Sequence, residues 1–211
     1  MKKLLVAGIL AGCMLVNSSM RPAKAKWISL FDGKTLNGWK VGANAETFSV
    51  DSGCIIAHGK TAHLFYEGDV HDHDFKDFEF KADVMTRPGS NSGIYIHTEY
   101  QEAGWPAKGY EVQVNNSHTD WRRTGSLYAI QDIKEVYCPD NKWFTEYVSV
   151  HGKRIVIKLN GKTVVDYTEP ENVQRPKDMA GRILSHGTFA LQGHDPNSKV
   201  YFKNIMVKPL D

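Results

Sequence analysis

The sequence has almost no net charge. Its 26 Lys and Arg stand against 24 Asp and Glu, a formal charge of +2, and neither sign runs together. No basic field is present that would hold nucleic acid, and no acidic tail that would recruit a cationic partner. Cysteine is scarce: there are three, with no Cys-x-x-Cys pair and no zinc-finger spacing. Linkers rich in Pro, Gly or Ser, internal repeats and any sign of a second domain are all missing. No segment keeps a helical period over three turns, which excludes a helical bundle. The longest apolar run, Leu4 to Val16, falls short of the roughly 20 residues that span a bilayer.

That short run has a meaning of its own. It follows the basic Met1-Lys2-Lys3, and the polar stretch after it ends in Ala23-Lys24-Ala25, a small-x-small cleavage pattern. Residues 1–25 are therefore expected to be a signal peptide, with a mature domain from Lys26 to Asp211 that is periplasmic or secreted. Leu10-Ala11-Gly12-Cys13 also matches a lipobox, and cleavage before Cys13 would give a membrane-anchored lipoprotein instead. Once Cys13 is removed, Cys54 and Cys138 remain. An oxidising compartment would permit a disulfide between them, two separate buried thiols are the alternative, and spacing leaves the choice open.

The rest reads as strand after strand. Asp51-Ser52-Gly53 and Asn160-Gly161 are hairpin signals between short apolar-rich runs. From Asp77 to Met85, Phe78, Phe80, Ala82 and Val84 point one way and Glu79, Lys81 and Asp83 the other. Further strands are expected at 92–100, 110–115, 147–151, 154–159, 163–167, 188–192 and 199–208, with one short helical turn near 178–182. Many short strands without helices predict a sandwich of two antiparallel sheets, a jelly roll. A count of nine Tyr, nine Phe and five Trp suits such a core as well as it suits sugar-stacking surfaces.

Three strands carry unusual polar residues on the face away from the core. Ile94 and Ile96 face inward, which leaves Tyr95, His97 and Glu99 together. Val112 and Val114 face inward, which leaves Glu111, Gln113 and Asn115. Phe189 and Leu191 leave Gln192 and His194. If these strands are neighbours, carboxylates, imidazoles, a phenol and amides line one concave site suited to a polyhydroxylated ligand. Trp105, Trp121, Trp143 and Tyr128 lie in loop-like segments, where they could stack on sugar rings or anchor to the core.

The opening Leu30-Phe31-Asp32-Gly33-Lys34-Thr35-Leu36-Asn37-Gly38-Trp39 resembles the start of the 3-keto-disaccharide hydrolase domain family. Asn91-Ser92-Gly93-Ile94, Gly109-Tyr110-Glu111-Val112-Gln113, Thr124-Gly125-Ser126-Leu127-Tyr128, Leu159-Asn160-Gly161, Leu191-Gln192-Gly193-His194 and Phe202-Lys203-Asn204-Ile205 continue the match in family order. The resemblance implies a concanavalin A-like jelly roll that cleaves glycosides whose glucose carries a 3-ketone. Two departures bear on specificity: His97 where relatives often have Arg, and the segment before Trp143.

Chemistry supports such a substrate. Retaining glycosidases of this fold carry Glu, Asp and Glu at alternating strand positions and need two carboxyl groups about 5–5.5 Å apart. Glu111, Gln113 and Asn115 offer one carboxylate and two amides. A ketone acidifies the hydrogen on the next carbon, so one base, an enolate-stabilising group and an acid suffice for elimination, with water adding afterwards. Glu111 or His194 is expected as the base. His97, Tyr95 and Gln113 are candidates for the enolate and hydroxyls, with Asn91, Gln192, Tyr128 and Trp121 in support. A divalent metal ion held by His97, Glu111 or His194 would be a further way to stabilise the enolate, although no spacing is diagnostic. The partners implied are an oligosaccharide or glycoside and an upstream sugar oxidoreductase. A non-catalytic carbohydrate-binding module and a conventional glycoside hydrolase are the rival readings.

Overall fold

A computed structural model describes residues 26–210. The leader and lipobox expectations, Cys13 included, lie outside the described residues. The strands are β1 (Ile28–Ser29), β2 (Trp39–Val41), β3 (Phe48–Asp51), β4 (Cys54–Ala57), β5 (Ala62–Tyr66), β6 (Phe78–Thr86) and β7 (Ser92–Thr98). They continue as β8 (Tyr110–Val114), β9 (Phe144–His151), β10 (Arg154–Leu159), β11 (Lys162–Thr168), β12 (Thr188–Gly193) and β13 (Val200–Pro209). One sheet runs β11-β10-β9-β6-β13-β4-β3, with β1 added to β13; the other runs β2-β5-β12-β7-β8. Their pairings are antiparallel, and the two sheets form a concanavalin A-like jelly-roll sandwich.

The hairpins close as their sequences require. Ser52-Gly53 and Asn160-Gly161 hold φ of 51° and 77°, and of 49° and 83°, the left-handed pair of a type I′ turn. Between the sheets, the alternating Phe78, Phe80, Ala82 and Val84 of β6 are fully buried. They meet Phe189 of β12, whose ring centroid lies 4.9 Å from Phe78 and 4.6 Å from Phe80. A register shift in β13 at Asn204, φ 50°, returns Ile205 and Val207 to the core after Val200 and Phe202. Cys54 and Cys138 are separate, buried thiols, so the disulfide option falls away.

The second sheet decides where a site can form. Its inner face carries Leu64, Ile94, Val112, Val114, Phe189 and Leu191, all fully buried. Its outer face is also covered. Phe65, Tyr95 and Ala190 form a small cluster there, packed by Tyr100 from the segment after β7. Loops following β7, β8 and β11 close over the remaining polar residues.

Candidate functional site

Glu111 and Gln113 of β8, Tyr95 of β7 and Gln192 of β12 stand side by side because Tyr95 pairs with Glu111 and with Ala190 in register. They floor a cavity of about 320 Å³. Asn91 and His194 line it from the strand ends, and Trp105, Asp120, Tyr128, Asp178, Met179 and Arg182 from the loops. The face is not a solvated sheet surface: Tyr95, Gln113 and Gln192 are 1% exposed and Glu111 5%.

Glu111 is the hub. Tyr95 Oη donates to its Oε2 (3.0 Å), Gln192 Nε2 to its Oε1 (2.8 Å), and Arg182 Nη2 lies 3.5 Å from Oε2. Burial pushes the Glu111 carboxyl above its ordinary range, with Arg182 and these donors offsetting part of the rise. Burial, reinforced by the Glu111 charge, lifts the Tyr95 phenol far higher, so it stays a donor. Gly93 makes room for the carboxylate: a Cβ there would lie 2.6 Å from Glu111 Oε1. That close approach accounts for the glycine of Asn91-Ser92-Gly93-Ile94.

A second polar group forms the wall. His194 Nδ1 lies 2.7 Å from Asp195 Oδ2, a carboxylate that can only accept, so Nδ1 carries a proton and Nε2 is the ring nitrogen left for another partner. Burial raises the Asp195 carboxyl, but the bonds from His194, Ser198 and the Asn197 amide outweigh it and hold the group below its ordinary range. Asn91 accepts from Gln113 Nε2 (3.2 Å) and reaches toward His118 Nδ1 (3.5 Å). His63, beside Gln192 on β5, is almost fully buried between Tyr95 and Trp105; burial lowers its pKa to about 4, so it is neutral.

Four atoms of this constellation are buried without a partner among the described residues: Gln113 Oε1, Gln192 Oε1, Arg182 Nη1 and His63 Nε2. Each such group costs about 1–3 kcal/mol unless something binds it.

Of the residues expected from sequence, the cavity gathers Glu111, His194, Tyr95, Gln113, Asn91, Gln192 and Tyr128. His97 is a correction. Between Tyr95 and Thr98, β7 holds one residue more than β12, and His97 takes φ 54° at this bulge. Its ring turns off the concave face onto Phe78 (5.6 Å), donating to the Lys76 carbonyl (2.8 Å) and accepting from the Ser185 amide (3.3 Å). Both nitrogens are used in tying loops together. Glu99, past the bulge, pairs with Lys108 at the surface. Asn115 organises the following loop, donating to the Asp120 and Arg122 carbonyls. Trp121 does not line the cavity; it is 45% exposed and carries Arg122 over its ring at 4.9 Å.

The expected metal ligands do not converge either. The described residues able to share a cation are His118, His194 and Asp195, whose ligand atoms lie within 4.8 Å of one another. Asp195, however, already accepts four hydrogen bonds, from the Asn197 and Ser198 amides, the Ser198 hydroxyl and His194. A carboxylate has about four lone-pair sites, so its geometry here is that of a group orienting His194.

Arg182, His118 and Asp195 went unread in the sequence. Arg182 sits in a loop without periodicity, and nothing local marks it as facing Glu111.

Known proteins resemble this chain in sequence and fold. A curated 3-keto-disaccharide hydrolase of Bacteroides thetaiotaomicron is 25% identical over 88% of this chain and 79% of its own. A candidate glycosyl hydrolase of Parabacteroides distasonis superposes with a TM-score of 0.71 at 25% identity, over 88% of this chain and 94% of that one. The carbohydrate-binding module CBM66 of Bacillus subtilis shares the fold (TM-score 0.57, 16% identity, 81% and 95% coverage). The model of the 3-keto-alpha-glucoside-1,2-lyase-like domain matches residues 26–208, nearly all of the described residues, and to that family the chain belongs.

Proposed function

We propose that the cavity binds a 3-keto glycoside and cleaves it by removing the proton next to the ketone. The observation that carries this reading is the set of unpartnered buried atoms around one carboxylate. Gln113 Oε1 and Gln192 Oε1 want hydroxyl donors; Arg182 Nη1 wants an oxygen acceptor. A sugar with two hydroxyls and a carbonyl supplies all three.

In this mechanism Glu111 takes the proton from the carbon between the ketone and the anomeric centre. Its raised pKa makes it a stronger base than an exposed glutamate. The electron pair of the broken C–H bond moves into an enolate, whose oxygen is held by Arg182. That pair then forms the carbon–carbon double bond as the bond to the aglycone oxygen breaks. His194, oriented by Asp195, gives the leaving oxygen a proton from its Nε2. Water adds to the unsaturated keto sugar afterwards, so the net change is hydrolysis. Such a substrate has to be supplied by a reaction that oxidises the sugar hydroxyl, the role of a sugar oxidoreductase. A double displacement is poorly served, because β8 offers an amide at Gln113 where that chemistry needs a carboxylate.

The test is turnover of a 3-keto glucoside in heavy water. Deuterium should enter at the carbon next to the ketone, and Glu111→Gln should abolish turnover while the protein stays folded. Product free of deuterium, formed as readily from the unoxidised glucoside, would refute the elimination and favour a conventional hydrolase.

A further inference from the structure

The segment between β11 and β12 crosses the cavity and delivers Arg182. Apart from one turn at Lys177–Met179 it has no regular structure, so its backbone needs other restraints to keep one conformation. Arg175 supplies them. Its Nε donates to the carbonyl of Arg182 itself (2.8 Å), and its Nη2 donates to the hydroxyls of Tyr110 and Tyr167 (both 2.8 Å). Tyr110 is a fully buried residue of β8, directly before Glu111. Its hydroxyl in turn donates to Glu169, whose carboxylate also accepts the Leu184 amide (2.9 Å). Burial first, then the Glu169 bond, keeps that phenol protonated. A planar guanidinium can bridge a carbonyl and two phenols in one fixed fork; an ammonium cannot.

We propose that Arg175, which does not line the cavity, is the positioning residue that holds Arg182 against Glu111. The contact it protects is a long one, 3.5 Å, and a small drift of the loop carbonyl would open it. This inference rests on the reading of Glu111 as the base. The groups facing Glu111 are Tyr95 from β7, Gln192 from β12, Tyr128 from the loop after β8, and Arg182 from the strap. Arg182 is the cation among them, and it holds the Glu111 pKa down. Losing it raises that pKa, so the base stays protonated to a higher pH.

The experiment is the pH profile of kcat/KM on a 3-keto glucoside for the intact enzyme, Arg175→Ala, Arg175→Lys and Tyr167→Phe, each with its melting curve. Arg175→Ala should move the acid limb to higher pH, with about tenfold lost at a fixed pH on that limb for each unit moved. Arg175→Lys, which keeps the charge but not the fork, should behave much like Ala. Tyr167→Phe removes one anchor of three and should shift the limb the same way by less. If Arg175→Ala fails to fold, Tyr167→Phe carries the test. An acid limb unmoved in the folded variants, beside an inactive Glu111→Gln, would overturn this inference and leave the base reading standing. A fully active Glu111→Gln would overturn both.

Discussion

Glu146 sits in the wrong place for a carboxylate. It lies on the inward face of β9, between Phe144 and Val148, opposite Ala82 of β6 and Leu159 of β10. It is fully buried, and neither oxygen has a hydrogen-bond partner among the described residues. The nearby Gly125 amide already donates to the Gln113 carbonyl (2.9 Å). Burial therefore drives the Glu146 pKa well above its ordinary 4.5, and the folded protein holds the acid neutral. The same burial pushes the neighbouring Cys138 thiol up to about 12.

The sign of the pH effect follows. Above pH 4.5 the unfolded chain releases the Glu146 proton and the folded chain keeps it. Folding then binds a proton, so stability falls as pH rises, by at most about 1.4 kcal/mol per pH unit until the folded pKa is reached. From pH 4.5 to pH 7 the loss is at most about 3 kcal/mol. Glu146→Gln keeps the shape and removes the ionisation. It should match the natural protein at pH 4.5 and be more stable by up to about 3 kcal/mol at pH 7. Urea unfolding of both proteins at the two pH values measures this. Other raised groups, Glu111 among them, act on both proteins and cancel in the difference. A Glu146→Gln protein less stable than the natural one at pH 7, or a difference that ignores pH, would refute the reasoning.

Two more outcomes test the site. Gly93→Ala should displace the Glu111 carboxylate, since the new Cβ would lie 2.6 Å from Oε1; turnover should fall by more than tenfold while melting shifts little. His97→Ala should do the reverse. It removes the hydrogen bonds to the Lys76 carbonyl and from the Ser185 amide and should cost about 1–3 kcal/mol in urea unfolding, with turnover per folded molecule kept within a fewfold of normal. A stable but inactive His97→Ala protein would return that residue to the chemistry.

Strand alternation and turn chemistry were legible because each is local. Asn160-Gly161 can close a two-residue hairpin whatever surrounds it, and β6 and β10 show which side chains face the core. The same alternation put Glu111 and Gln113 on one face, and Gln192 on its own strand's matching face. β5 escaped notice for the opposite reason: all five of its residues are buried, so Ala62 to Tyr66 shows no contrast between its two sides. His97 followed the period on paper, but one extra residue in β7 against β12 turned it away, and a bulge depends on the partner strand. Two further things came only with the tertiary structure. Loops distant in sequence covered a polar sheet face and turned it into a cavity, which raised the Glu111 pKa by taking water away. And Arg182, 71 positions from Glu111, reached it through a strap pinned by Arg175 and Tyr110. Sequence sets the local preferences of the backbone. Burial and the meeting of distant charges depend on how the whole chain packs, and the chemistry of this site rests on both.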